Sequence, residues 1–145
     1  MKIHQLSLFL ENQPGHLSKA CRVLADAEVN LLTMSVADTQ QFGILRLIVK
    51  EWEKARDVLQ KAGFVVKVTE VVALEAEDHP GGLADMLDAI EADGINIEYM
   101  YAFTFRFGDK AVLVFRFDDP DTAVAALQAR GLGVISSVEL YSRSE

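Results

Sequence analysis

Apolar and polar residues follow two rhythms along this chain, one typical of strands and one typical of helices. In the first half the rhythms alternate in the order strand, helix, strand, strand, helix, strand. Gly63 stands where the second helix should end, because glycine readily takes the left-handed conformation of a helix C-terminus. The pattern predicts strands at 3–10, 30–39, 44–49 and 64–68, and helices at 15–28 and about 55–62.

The second half repeats this order. Asp119 and Pro120 predict a helix start, since Asp caps a helix well and Pro is tolerated in the first turn. The pattern predicts strands near 71–77, 95–106, 110–117 and 133–141, and helices at 81–92 and 120–130. We therefore expect an α+β fold of two ferredoxin-like βαββαβ repeats with antiparallel sheets, joined side by side, with domains at 1–69 and 70–145.

An internal repeat supports the duplicated pattern. The segment Glu11–Leu17 recurs 66 residues later as Glu77–Leu83, with a Pro-Gly pair at the same place in both copies. Further on, Gly63 matches Gly131 at a spacing of 68, so two extra residues entered the second copy. The chain therefore consists of two copies of one domain.

The connection between the repeats is short. No Gly or Pro occurs from Val65 to Leu74. This composition predicts a tight turn near Thr69-Glu70, or one long bent strand serving both sheets, rather than a flexible linker.

The two Pro-Gly pairs suggest binding sites for a small anion. Glycine at a strand-to-helix turn allows close approach to the backbone, and the first N–H groups of a helix have no internal partner. Such donors favour a small carboxylate by roughly 0.3–1 kcal/mol. The alternative is that Pro14-Gly15 and Pro80-Gly81 only start helices well. On that alternative, Gly15→Ala and Gly81→Ala should cost no more than about 1 kcal/mol where the backbone angles suit alanine.

The arrangement of these residues resembles the ACT domain family. The resemblance rests on Asn12-x-Pro14-Gly15-x-Leu17 followed by Asn30-Leu31, and on Asp78-x-Pro80-Gly81-x-Leu83 followed by Asn96-Ile97. It implies the βαββαβ fold, binding of amino acids or similar small molecules, and a regulatory role. It also implies that each ligand lies between the Pro-Gly turn of one repeat and the second strand of its neighbour.

The resemblance implies a set of ligand-binding residues in each repeat. Asn12 can donate to a carboxylate and accept from an ammonium group, whereas ionised Asp78 only accepts, so the two sites should differ. With the repeats joined through their second strands, the first site should be larger and more aromatic. The first set is Asn12, Pro14, Gly15, His16 and Leu17, completed by Tyr99, Met100 and Tyr101, and the second is Asp78, His79, Pro80, Gly81, Gly82 and Leu83, completed by Thr33, Met34 and Ser35.

These features predict a non-catalytic amino-acid sensor that regulates another protein. The partners expected are an amino acid and either a regulated enzyme or a second copy of the chain. A structural or oligomerisation module without ligand binding is the alternative. His4, His16 and His79 lie at no metal-ligand spacing, and no phosphate loop occurs, so we expect no enzyme, cofactor or metal site. The pair Asp78-His79 is more simply explained as two polar residues of a turn than as an acid/base couple.

Charge and hydropathy limit the classes of partner that we expect for this chain. Residues 1–70 hold 9 Lys/Arg against 8 Asp/Glu, and residues 71–145 hold 5 against 14. Without a run of Lys or Arg, and without an 18-residue apolar stretch, we expect neither nucleic acid nor membrane as partner, and a cytoplasmic location. Cys21 lies on the apolar side of a predicted helix, which favours a buried, inert thiol.

An aromatic stripe occurs at every second position from Tyr99 to Phe107. An unbroken strand would place all five rings on one face, and a bulge would split them. Packing against the helices is the simpler prediction, with a contact surface on the open face of the sheet as the alternative.

Overall fold

The computed structural model describes residues 2–11, 13–38, 42–104 and 106–143, with Asp38 described by its backbone only. The chain divides into two compact units. The first unit is His4–Thr69, and the second runs from Glu70 onward and includes the N-terminal residues up to Ile3.

The first unit has the predicted order of elements. The elements are β1 (Ile3–Glu11), α1 (His16–Asp26), β2 (Thr33–Asp38), β3 (Phe42–Ile48), α2 (Trp52–Lys61) and the beginning of β4 (Val65–Glu77). The strands lie in the order β2-β3-β1-β4, and β3 pairs antiparallel with both β1 and β2.

Alternation along the strands forms the core of the first unit. Leu6 lies opposite Leu47 and Leu8 lies opposite Leu45, and all four side chains are fully buried. Each buried leucine contributes about 1.5–3 kcal/mol relative to an exposed one. The helices complete this core with Ala20, Leu24, Ala55 and Leu59.

The second unit repeats the plan and adds a helix. The elements after β4 are α3 (Gly82–Ala92), β5 (Ile97–Ala102), β6 (Lys110–Phe117), α4 (Pro120–Ala129), β7 (Val134–Ile135) and α5 (Ser137–Arg143). The strands lie in the order β7-β4-β6-β5, and the core is built on Val72, Leu74, Phe115 and Phe117. Each unit therefore has the predicted ferredoxin-like α+β fold.

Strand β4 decides between the two predicted connections. It runs without interruption from Val65 to Glu77, so no tight turn occurs at Thr69-Glu70. The absence of Gly and Pro from Val65 to Leu74 accounts for this, because nothing in the segment favours a turn. The prediction of one long strand is confirmed.

The prediction of a strand over 133–141 is wrong. Only Val134–Ile135 is a strand, and Ser137–Arg143 forms α5. The N–H of Glu139 donates to Oγ of Ser136 at 3.1 Å, which caps the helix. Because Ser136 and Glu139 have the S-x-x-E spacing of a capping box, the sequence held a helix signal that the apolar alternation concealed.

The aromatic stripe is split. Strand β5 has a register shift between Ile97 and Tyr99 and ends at Ala102. Met100 packs against the core, so the half-buried Tyr99 and Tyr101 lie on the other face of the strand. Phe103 and Phe107 are buried. The simpler prediction of packing against the core helices is therefore wrong for the two tyrosines, and Phe105 lies outside the described residues.

Candidate functional site

The first Pro-Gly turn closes tightly against the end of β1. The N–H of Gln13 donates to the carbonyl oxygen of Glu11 at 2.8 Å, and the N–H of His16 donates to that of Gln13 at 3.3 Å. Gly15 has φ 91° and ψ −14°, in the left-handed region that favours glycine. The candidate ligand residue Asn12 lies outside the described residues.

Helix α1 begins without a side-chain cap at Gly15. Its first internal hydrogen bond runs from the N–H of Lys19 to the carbonyl oxygen of Gly15, at 2.9 Å. The N–H groups of Leu17 and Ser18 precede that bond and have no partner within the helix. Two backbone donors therefore remain at the helix start, and Leu17 itself is 40% exposed.

His16 is fixed on two sides. The backbone N–H of Glu11 donates to Nδ1 of His16 at 3.1 Å. Since Nδ1 accepts, the hydrogen of the neutral imidazole is on Nε2, which is then a donor. The ring meets Phe64 edge-on, with the ring centres 6.4 Å apart.

The second turn has nearly the same backbone. Gly81 has φ 90°, and helix α3 also begins without a side-chain cap. A Cβ at Gly82 would lie 1.9 Å from the carbonyl oxygen of Glu77. Gly82 is therefore required by the close approach of α3 to the end of β4, while Leu83 is 40% exposed.

The polar residues of the second turn have partners. Arg106 forms an ion pair with the carboxylate of Asp78. Nδ1 of His79 lies 2.9 Å from the carbonyl oxygen of Pro80 and donates to it, because a carbonyl only accepts. Neither side chain is hydrogen-bonded to the other in the described part of the chain, so this geometry gives no acid/base couple.

The candidate residues on the second strands differ in exposure. In the first unit Thr33 is 2% exposed, Met34 is 38% exposed and Ser35 is half-buried. In the second unit Tyr99 and Tyr101 are half-buried, and Met100 packs against the core. That each set completes the Pro-Gly site of the other repeat stays a prediction.

The backbone angles of the two turn glycines correct the expectation for their replacement by alanine. A Cβ at Gly15 or Gly81 would meet nothing within 4 Å, yet φ near 90° is unfavourable for alanine. The left-handed conformation costs an L-residue roughly 1–2 kcal/mol. The condition that the angles suit alanine is not met, so the upper limit of about 1 kcal/mol does not apply to Gly→Ala at either turn.

Sequence reasoning did not single out Arg106, Lys19 or Phe64. Lys19 follows His16 by three residues, a spacing that places both on one helix face, and this was the available signal. Arg106 is 28 residues from Asp78, and no local pattern links them.

The described residues hold neither a metal-ligand cluster nor a helix that could span a membrane. They contain no group of three or more His, Cys, Asp or Glu that could hold a metal ion. None of their helices is long and apolar enough to cross a membrane.

The fold and the repeated turns define a tandem pair of small α+β modules. The chain belongs to the ACT domain pair family, which matches residues 1–142. No curated protein matches the chain.

Solved structures share this fold. A protein from Bacteroides thetaiotaomicron is 36% identical, with a TM-score of 0.90 over 97% of this chain and 96% of that one. The ligand-free regulatory subunit of aspartate kinase from Thermus thermophilus is 20% identical, with a TM-score of 0.65 over 88% and 90%. Aspartate kinase from Synechocystis is 22% identical, with a TM-score of 0.57 over 94% of this chain and 28% of that chain.

Proposed function

We propose that this protein is a non-catalytic regulatory protein that binds an amino acid at its Pro-Gly turns. The ligand carboxylate lies against the first-turn N–H groups of α1 and α3. The observation that carries this proposal is that both helices begin at a left-handed glycine with no side-chain cap.

Helix α4 provides an internal comparison. It begins at Asp119, whose carboxylate accepts a hydrogen bond from the N–H of Thr122 at 3.2 Å. At α1 and α3 no side chain among the described residues takes this place, so the donors are available to an external carboxylate. The chain thus contains helix starts with and without an internal carboxylate.

The family and the similar structures support a regulatory role. The Thermus thermophilus structure is of a regulatory subunit, and the partner proposed for this chain is an enzyme whose activity follows the bound ligand. Because the identity to that structure is 20%, aspartate kinase itself is not proposed as the enzyme partner of this chain. A second copy of the chain is the other partner proposed, and the location proposed is the cytoplasm.

The turns are proposed to bind unequally. Arg106 already pairs with the carboxylate of Asp78, which reduces what Asp78 can offer to a ligand ammonium group.

Thermal unfolding with each of the twenty amino acids tests the proposal. A ligand that binds only the native state stabilises it by about 2.7 kcal/mol at a hundredfold excess over its dissociation constant. At least one amino acid should raise Tm. If none does, the protein is the structural module of the alternative hypothesis.

Asparagine variants of the turn glycines test whether the ligand-induced rise in Tm depends on the Pro-Gly turns. Asn tolerates the left-handed region and adds a side chain beside the donors, so Gly15→Asn and Gly81→Asn should fold and lose the ligand-induced rise. Gly94→Asn is the matched control, since Gly94 has φ 69° and open space but lies after α3. A full response in the double variant Gly15→Asn/Gly81→Asn would reject the turns as the site.

A further inference from the structure

A pocket lies beside the Pro-Gly turn in each unit, and the two pockets occupy equivalent positions in the repeat. The first pocket has a volume of about 380 Å³ and the second about 270 Å³. Eight lining positions of the first correspond to eight of the second at the repeat spacings. Besides Gly63 with Gly131 and Val65 with Gly133, they are Phe9, Glu11, His16, Lys19, Phe42 and Phe64 in the first pocket, and Glu75, Glu77, Gly82, Asp85, Lys110 and Leu132 in the second.

Opposite charges in the first pocket are not paired with each other. Glu11 and Lys19 both line it, yet no ion pair joins them, and neither forms one with any other described residue. A cation and an anion that share a pocket without contact leave room for a ligand that carries both charges.

His16 adds a donor beside Lys19. Its Nδ1 accepts from the N–H of Glu11, so Nε2–H is the hydrogen that a ligand can receive. His16 and Lys19 are three residues apart on α1 and both line the pocket. Together, His16 and Lys19 can donate to a ligand carboxylate, while the Glu11 side chain can accept from a ligand ammonium group.

Three phenylalanines supply the aromatic part of the lining of the first pocket. Phe64 is 9% exposed, and Nζ of Lys19 lies 5.4 Å from the centre of its ring. Phe9 is 47% exposed and Phe42 is 51% exposed, although both are large apolar side chains. Exposed aromatic rings around a few polar groups are typical of small-molecule sites, and 380 Å³ lies within their usual size range.

The second pocket keeps an acidic residue, Glu77 at the position of Glu11, but lacks the other features. Asp85 replaces Lys19, Leu132 replaces Phe64, and Lys110 and Glu75 replace the two exposed phenylalanines. Nζ of Lys110 lies 3.8 Å from carboxylate oxygens of both Glu75 and Glu77, so its charge already has partners. A zwitterion with an apolar ring therefore fits the first pocket and not the second.

We propose that the first pocket binds an aromatic α-amino acid. The ring lies against Phe64 between Phe9 and Phe42, Lys19 and Nε2–H of His16 add side-chain donors to the carboxylate at the start of α1, and Glu11 holds the ammonium group. This rests on the proposed function and gives the ligand class of the first unit.

Isothermal titration calorimetry with four probes tests each contact. L-phenylalanine should bind at one per chain. Phenylpyruvate lacks the ammonium group, 2-phenylethylamine lacks the carboxylate and L-alanine lacks the ring, so each should bind about tenfold more weakly or worse. Equal affinity for L-alanine and L-phenylalanine would overturn the proposal.

Single substitutions then test which side chain contacts the carboxylate of the ligand and which contacts its ammonium group. Lys19→Gln should weaken L-phenylalanine about tenfold and leave 2-phenylethylamine unchanged, while Glu11→Gln should weaken L-phenylalanine and leave phenylpyruvate unchanged. Lys54→Gln, an exposed lysine on α2, and Asp85→Asn, at the position equivalent to Lys19, are controls that should bind as the wild type does. Unchanged L-phenylalanine binding by Lys19→Gln would overturn the proposal.

The outcomes separate this inference from the function on which it rests. If a non-aromatic amino acid binds in a way that depends on Gly15 or Gly81 and no aromatic one binds, the inference is rejected and the proposed function stands. If no amino acid binds at all, both are rejected.

Discussion

The backbone N–H of Glu11 donates to Nδ1 of His16 over 3.1 Å, which joins the end of β1 to the first residue of α1. The equivalent residues of the second unit meet differently. Gly82 has no side chain, and a Cβ there would lie 1.9 Å from the carbonyl oxygen of Glu77. One turn is therefore held by a side chain and the other by close backbone packing, although both place a left-handed glycine before an uncapped helix.

The contact between Glu11 and His16 predicts two classes of variant. His16→Ala removes the acceptor and should lower the free energy of unfolding by about 0.5–1.5 kcal/mol, the usual net contribution of a hydrogen bond. His16→Asn should lose less, because Oδ1 of Asn occupies the position of Nδ1 relative to the backbone. Urea denaturation measures both, and equal losses would show that the hydrogen bond contributes nothing.

The contact between Gly82 and Glu77 predicts a larger loss. Gly82→Ala forces the helix start away from β4, and crowding of this kind costs about 1–3 kcal/mol. Gly81→Asn next to it should cost less, since Gly81 has open space and Asn tolerates its backbone angles. Chemical denaturation of the two variants gives the comparison, and a neutral Gly82→Ala would contradict the observed packing.

Helix α5 predicts a stability pattern that a strand would not give. Leu140 is fully buried, so Leu140→Ala should cost about 2–5 kcal/mol, and Ser136→Ala should cost about 1 kcal/mol through the lost cap. Val138 is 77% exposed, so Val138→Ala is the matched control with a change within about 0.5 kcal/mol. A large effect at Val138 would favour the strand that the alternation predicted.

Sequence periodicity predicted most elements because their apolar positions match what they bury. Leu6 and Leu8 alternate on β1, and Ala20 and Leu24 recur at helical spacing on α1. The same reasoning failed after Val134, where alternation continued through Val138 although that side chain is exposed. There a local cap at Ser136 outweighed the period of two.

The candidate site was predictable only in part. The Pro-Gly turns are local, and their repetition made them visible in the sequence. The pocket of the first unit joins Glu11 and Lys19 to Phe64, which follows Lys19 by 45 residues and meets them only through the fold. The left-handed angles of Gly15 and Gly81 likewise depend on how the turn closes, which composition does not define.

An ion pair in the second unit predicts a pH response. Arg130 donates to both carboxylate oxygens of Asp93, at 2.5 and 2.9 Å, and this hydrogen bonding holds the pKa of Asp93 below its ordinary value of 3.8. A carboxyl group whose pKa is lowered by folding stabilises the protein above its unfolded-state pKa, and this stabilisation is lost as pH falls through the folded pKa.

Arg130→Gln should therefore lower stability at pH 7 and converge with the wild type in acid. Urea denaturation across the range from about pH 5 downward measures the slope. Arg22→Gln, an exposed arginine of α1 with no described ion pair, is the control that keeps the wild-type slope. Identical slopes for Arg130→Gln and the wild type would show that the ion pair contributes nothing.

The most direct test of amino-acid binding at the Pro-Gly turns is a titration followed by the amide resonances of ¹⁵N-labelled protein. The ligand is the amino acid that raises Tm most. A carboxylate held by the helix starts should shift the amides of Leu17 and Ser18, or those of Leu83 and Ala84, more than the amide of Thr122, which already donates to Asp119. Saturable shifts that spare both turns would contradict the account.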